Sequence, residues 1–174
     1  MKLSLSFFVF IVAMGIAFSS CSGNSSQSVK EEVTEEVKPK GLTPEELGGE
    51  ISDLYKRALV EVTDLTKESP AATDVQPKIV ELKEKYIQEL VELGRKREAL
   101  EDEGKSKVDL TIRMALQNAY SATTYTAYTE AINVYLDNSK FYKLLADFNI
   151  ITQYSNFDLL KQQEPEEAQR LGIE

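Results

Sequence analysis

The chain has 174 residues, with 20 Lys and Arg against 29 Asp and Glu, and a formal net charge of −9. It contains no histidine, no tryptophan and a single cysteine. The lack of histidine excludes Ser-His and Cys-His nucleophile pairs and histidine-ligated haem, and zinc and iron–sulfur sites lose their usual ligands. Because so acidic a surface repels phosphate groups, we expect no nucleic-acid partner.

The side chains left for chemistry are carboxylates, lysines, tyrosines and hydroxyls. They leave open a paired-carboxylate hydrolase or a calcium site. The sequence has no calcium-binding loop, no glycine-rich phosphate loop and no nucleophile elbow. We therefore predict a non-enzymatic protein with no catalytic residues, no cofactor and no bound metal.

The N-terminus has the features of an export signal. Lys2 precedes an uncharged run from Phe7 to Phe18, and Ser19-Ser20-Cys21 follows. The run is shorter than the roughly 20 apolar residues that a membrane-spanning helix needs. Residues 1–20 are therefore predicted to be a signal peptide that is removed.

Phe18-Ser19-Ser20-Cys21 resembles the lipobox of bacterial lipoproteins, with Phe18 where that class usually has Leu. The resemblance covers residues 1–21 only, and implies cleavage before Cys21 and lipid attachment to its sulfur. It implies a lipid-anchored protein of the bacterial cell envelope; Ser22 after the cysteine, rather than Asp, favours the outer membrane over the inner one. Two or three acyl chains hold a protein stably on a membrane. The alternative is ordinary secretion, with cleavage after Ser19 and a free thiol.

Residues 21–42 are predicted to form a flexible stalk behind the lipid. Ser22–Ser28 is small and polar, and Lys30–Lys40 consists largely of Glu, Val and Lys. Such a composition has too little apolar surface to offset the entropy lost on ordering. Residues 43–174 are about 130 residues, enough for one domain with a single hydrophobic core.

Two amphipathic helices are predicted at the start of this domain. Thr43-Pro44-Glu45-Glu46 forms a capping box, and Ser69-Pro70 ends the first helix. Pro77 is predicted to open the second helix, and Glu101–Lys105 to form the turn after it. Both helices carry an apolar stripe at helical spacing: Leu47, Ile51, Leu54, Tyr55, Ala58, Leu59, Val62 and Leu65 in the first, and Ile79, Leu82, Tyr86, Leu90, Leu93 and Leu100 in the second.

A third helix, capped at Ser106, is predicted over about 107–137. Met114–Thr129 contains no charged residue, which predicts a helix buried on most sides. Because Thr and Tyr favour strands, a hairpin within Ser121–Thr129 is the alternative. One face carries mainly small side chains that let another helix approach closely: Val108, Ile112, Ala115, Ala119, Ala122, Thr126 and Thr129.

A fourth helix is predicted to begin at a Ser139 cap. Pro165 ends it or begins a short turn over Glu166–Leu171, with Gly172 beyond. Short connections between four helices predict an all-α domain, a four-helix-bundle-like up-and-down structure. The residues predicted to face inward are all apolar: Phe141, Leu144, Leu145, Phe148, Ile151 and Phe157.

Six of the eight tyrosines lie between Tyr120 and Tyr154. Tyr120, Tyr125, Tyr128 and Tyr135 are a candidate face for a partner or ligand. The alternative is a core in which the rings lie inside and the hydroxyls reach water or a polar neighbour.

Three functions follow from these observations. The first is a membrane-anchored, non-enzymatic module that binds or scaffolds a protein, either another envelope protein or a second copy of the chain. The second is a carrier of a small apolar or aromatic ligand among the tyrosines. The third is a carboxylate-only glycan hydrolase.

Overall fold

The computed structural model describes residues 41–174, so Cys21, the predicted signal peptide and residues 22–40 of the predicted stalk lie outside the described part. Residues 41–174 form helices and contain no strand. The predicted all-α class is therefore confirmed, and the hairpin alternative for Ser121–Thr129 is wrong. None of the helices in this range combines the length and hydropathy required to cross a bilayer.

The helices form four rods, each a single helix or several short helices placed end to end. The first two rods are single helices, whereas the third and fourth are broken. The bounds are Pro44–Thr66 for α1, Ala72–Glu98 for α2, Asp102–Tyr120 for α3, Thr123–Asn133 for α4, Ser139–Ala146 for α5, Asp147–Ser155 for a 3-10 helix, Phe157–Gln163 for α6 and Pro165–Arg170 for α7. The third rod is α3 with α4, the fourth is α5 with the 3-10 helix and α6, and α7 is a short terminal helix.

Pairs of neighbouring residues establish the direction of each rod. Residue numbers rise in opposite senses between the first and second rods, and rise together between the first and third and between the second and fourth. This is the predicted up-and-down arrangement. The pairs are Arg57–Glu89 and Glu61–Lys85, then Gly48–Thr111 and Pro70–Tyr135, then Lys83–Asp147 and Gly94–Phe157.

The centre of the domain is α1, which packs against α2, α3, α4 and the 3-10 helix. Its predicted capping box is confirmed: the Glu46 amide donates to Thr43 Oγ1 at 3.2 Å, and the Thr43 amide donates to Glu46 Oε2 at 2.7 Å. The predicted stripe of α1 is buried from Leu47 to Val62, with Leu65 partly buried at its end. Burial of this stripe against three rods makes α1 the core helix.

Two glycines allow the broken rods to approach the first two. A Cβ on Gly48 would lie 2.7 Å from Cβ of Thr111 in α3, and one on Gly94 would lie 2.6 Å from the ring of Phe157 in α6. Contacts this short require a neighbour to move, so the missing side chains are part of the packing. α3 therefore approaches α1 closely at Gly48, where α1 has no side chain.

Several predicted boundaries are wrong. α2 begins at Ala72, with Pro77 inside it, because Val75 and Ile79 on either side of the proline are buried in the core. The predicted turn Glu101–Lys105 belongs to α3, whose N-cap is Glu101. The predicted Ser106 cap lies within that helix, where its hydroxyl donates to the Asp102 carbonyl at 2.8 Å.

The predicted third and fourth helices are both interrupted. The third breaks at Ser121 and Ala122, where Ala122 is extended (φ −86°, ψ 152°). The run Thr123-Thr124-Tyr125-Thr126 is weakly helix-forming, so little propensity opposes a break there. The fourth is capped by Asn138 rather than by Ser139, with Oδ1 accepting from the Phe141 amide at 3.2 Å.

The C-terminal helix and the glycine after it lie where they were predicted. Pro165 begins α7, and Gly172, with φ +68°, follows that helix. The predicted inward residues of the fourth rod are buried or partly buried. Phe141, Leu145, Phe148 and Ile151 are in the core, while Leu144 and Phe157 pack against it.

Candidate functional site

The uncharged segment Met114–Thr129 of the third rod was predicted to be buried on most sides, but this rod exposes far more surface than predicted. Among the 19 residues of α3, only Val108 and Ala119 are buried. Leu110, Met114 and Tyr120 keep 49%, 57% and 46% of their surface exposed. The prediction of a helix buried on most sides is therefore wrong, because α1 occupies the central position. What remains is an uncharged surface open to solvent.

A groove lies between α1 and the junction of α3 and α4. We call it the alanine groove, because Ala115, Ala119 and Ala122 line its α3 side. Its volume is about 500 Å³, and Leu59 and Val60 line it from α1. Its charged lining residues all belong to α1, so the α3–α4 side is uncharged: Lys56, Arg57 and Glu61.

The tyrosine cluster lies beside this groove. The rings of Tyr120 and Tyr125 meet edge to face with centroids 4.9 Å apart, and Tyr128 follows at 6.1 Å from Tyr125. Tyr55 of α1 is fully buried against them. Burial, together with the neighbouring Tyr120 and Tyr125, raises the pKa of Tyr55 above its ordinary value. Sequence reasoning placed Tyr55 in the core stripe but did not associate it with this cluster.

The four predicted face residues do not form one exposed face. Tyr128 is fully buried, and its hydroxyl donates to the Leu145 carbonyl at 2.7 Å. Tyr135 is also buried, apart from the cluster, and donates to the Pro70 carbonyl at 2.9 Å. These two serve as core residues with satisfied hydroxyls. Tyr120 and Tyr125 remain accessible, and their contact with a partner stays a prediction.

A second depression lies on the other flank of α3, facing the 3-10 helix and α6. We call it the amide cleft, because Asn149, Gln153, Asn156 and Gln163 line it. Its volume is about 460 Å³. Leu116, Leu159 and the ring of Tyr120 add apolar surface. The periodicity of α3 alone could not reveal this cleft, since its opposite wall is the irregular fourth rod.

The less exposed carboxylates of the described residues lie against cations. Lys83 Nζ is 2.7 Å from Asp147. Hydrogen bonds from Arg170 hold the pKa values of Glu84 and Glu167 below their ordinary range. A general acid in a glycosidase needs a raised pKa. This arrangement gives the hydrolase hypothesis no support.

The Arg95-Lys96-Arg97 run near the end of α2 contains a buried ion pair. Arg97 is 4% exposed. Its Nε and Nη2 donate to the two carboxylate oxygens of Asp109 at 2.9 and 2.7 Å, and Nη1 donates to Glu98 at 2.6 Å. The network joins the end of α2 to the start of α3, so its role is structural.

Residues 41–174 contain no cluster of three or more acidic or cysteine side chains that could hold a metal ion. Comparisons with protein-family models, curated proteins and solved structures find no match for this chain. Function is therefore inferred from the N-terminal sequence and from the two depressions that flank α3.

Proposed function

We propose that the chain is a lipid-anchored protein of the bacterial cell envelope, placed at the outer membrane, that binds a protein partner and catalyses no reaction. The single observation that carries the binding role is the exposed, uncharged surface of the third rod beside the alanine groove. Apolar surface of this kind on a soluble domain marks an interaction site. Cys21 supplies the anchor through the lipobox resemblance.

The groove suits an amphipathic helix of the partner. Ala115, Ala119 and Ala122 line the same wall of the groove, and their small side chains let a helix backbone approach that wall closely. Val60, 45% exposed, and Leu59 offer apolar contact from the opposite wall. Laying the apolar face of a helix in such a groove is a common mode of recognition.

The charges on the α1 rim favour acidic residues on one flank of that helix. Lys56 and Arg57 are 51% and 62% exposed, and their partners within the domain are exposed acids that contribute little. Glu61 is already engaged, since Tyr86 donates to it at 2.8 Å and Lys85 lies 3.3 Å away. The rim therefore offers two cations whose charge an acidic flank can neutralise.

Photocrosslinking in cells tests the binding surface. A photoreactive residue at Thr124, within the groove, should crosslink to a peptide from the helix of another envelope protein. The Val60→Lys substitution should abolish this crosslink, because it places a charge on the apolar wall. Val80→Lys is the matched control, since Val80 is 49% exposed on α2 and does not line the groove. A crosslink to this chain's own peptides would replace the partner with a second copy, and no crosslink would overturn the proposal.

The anchor is tested separately with a clickable fatty acid. The wild-type chain should take up the label, and Cys21→Ala should not. Equal labelling of both chains would overturn lipidation at Cys21 while leaving the groove experiment unaffected.

A further inference from the structure

We infer that the amide cleft is a second binding site and that its ligand is a neutral carbohydrate. The site is distinct from the alanine groove because the two depressions lie on opposite flanks of α3. Asn118 and Ala122 line one, and Ile112 and Leu116 line the other.

Two side-chain amides in this cleft have polar atoms without a hydrogen-bond partner within residues 41–174. Oδ1 of Asn149 is fully buried and, within residues 41–174, accepts no hydrogen bond. Gln153 is 8% exposed, and its side chain makes no hydrogen bond in the described part of the chain. An unsatisfied buried atom such as Asn149 Oδ1 is costly, so such groups are normally paired with protein, water or a ligand. Gln153 lines the same depression with an amide that makes no hydrogen bond within the domain, so one ligand in the cleft can pair with both residues.

The chemistry of the lining indicates the class of ligand. An amide both donates and accepts, and Asn149, Gln153 and Gln163 bring three amides into one cleft. A ligand that satisfies them must present closely spaced groups that also donate and accept, as the hydroxyls of a sugar do. The volume of about 460 Å³ falls within the usual range for small-molecule sites.

The remaining lining supports a sugar over a charged ligand. The charged lining residues do not select an ionic ligand, because Asp109 is already paired with Arg97 and Arg113 is exposed to solvent, where a single charge contributes little. Leu116, Leu159 and the exposed ring of Tyr120 provide apolar surface for the C–H face of a pyranose.

A peptide fits the cleft less well. A peptide that binds by adding a strand to a sheet edge cannot bind here, since residues 41–174 contain no strand. A helical peptide has already satisfied its backbone groups, so only its side chains could pair with Asn149 and Gln153.

The experiment uses the full-length lipidated protein in detergent, with calorimetric titration of maltotriose, chitotriose and a panel of other neutral trisaccharides. We expect at least one to bind. Gln153→Leu should weaken its binding about tenfold or more, since each lost hydrogen bond to ligand is of that order. Gln117→Leu is the control, because Gln117 lies on the solvent side of α3 and lines neither depression.

Thermal unfolding without ligand gives a second readout. Because the Gln153 amide makes no hydrogen bond within the domain, replacing it by Leu should leave the melting temperature unchanged or raise it. A lower melting temperature for Gln153→Leu would mean that ordered water already satisfies the amide, and would overturn the inference. Binding only of charged glycans, or of none in the panel, would overturn it too. None of these outcomes affects the crosslink at Thr124, so either proposal can be overturned while the other stands.

Discussion

The first two helices and the last two rods are stabilised in different ways. α1 buries ten of its 23 residues and α2 ten of its 27. α3 buries two of its 19 residues and α4 two of its 11. Hydrophobic burial scales with area, so α1 and α2 form a continuous apolar interface that no single side chain dominates. The third rod has much less of it, whereas the 3-10 helix of the fourth rod buries five of its nine residues.

Specific polar contacts attach the third rod, the fourth rod and α7 to one another and to the first two rods. Each joins side chains or backbone groups of different elements, and each depends on a definite geometry. A region held in this way is sensitive to single substitutions, whereas a continuous apolar stripe distributes the loss. The contacts are Arg97–Asp109, Tyr128–Leu145, Tyr135–Pro70, Lys83–Asp147 and Arg170–Glu84.

The largest effect is expected at the ion pair between α2 and α3. Arg97→Met should lower the free energy of unfolding by about 3 kcal/mol, because it leaves Asp109 without its bidentate partner. Arg95→Met is the control: Arg95 is 54% exposed and pairs with an exposed glutamate, so a change below about 0.5 kcal/mol is expected. Urea unfolding measures both. Equal small losses would mean that the third rod does not depend on this contact.

A smaller effect is expected where α1 meets α3. Gly48→Ala should lower the free energy of unfolding by about 1–3 kcal/mol, because the new Cβ meets Thr111 and the carbonyl of Val108. Gly49→Ala, one residue later, meets nothing within 4 Å and should stabilise the helix by about 0.5–1 kcal/mol. The same unfolding experiment distinguishes them. Stabilisation by both substitutions would show that the close approach is easily relaxed.

The smallest effect is expected at Arg170, which joins α7 to α2. Its hydrogen bonds lower the pKa values of Glu84 and Glu167 from the ordinary 4.5. A lowered pKa stabilises the fold above the ordinary value, and that stability is lost as the pH falls through the folded pKa. The urea midpoint of the wild type should therefore exceed that of Arg170→Met near neutral pH, and the difference should shrink below pH 4.5. A difference independent of pH would assign the effect to packing.

The difference between α1 and the third rod also explains how far the sequence could predict the fold. The prediction of a buried stripe in α1 from Leu47 to Val62 was correct because apolar residues alternate with charged ones at helical spacing. In Met114–Thr129 no charged residue marks the solvent side, so periodicity could not separate a buried helix from an exposed one. The break at Ala122 has no glycine or proline to signal it.

The candidate site was predicted less completely than the fold. Tyr120 and Tyr125 are accessible, but Tyr128 and Tyr135 share their residue type and helical spacing while lying in the core. The accessible pair and the buried pair differ because the third rod is broken at Ser121 and Ala122, and the spacing of the tyrosines does not show this break. The amide cleft forms because Asn149 and Gln153 lie opposite α3 in the fold. These residues are distant from α3 in the sequence, so no local sequence pattern could predict the cleft.

The position of α1 has a mechanical consequence. The polypeptide enters the domain at Thr43, directly onto the helix against which the other three rods pack. Tension transmitted through the preceding segment would therefore act on α1. It would load the interfaces of α1 with the other three rods at the same time. A domain entered through a peripheral helix would instead peel open one turn at a time. Such a topology would suit the lipid anchor that we propose at Cys21.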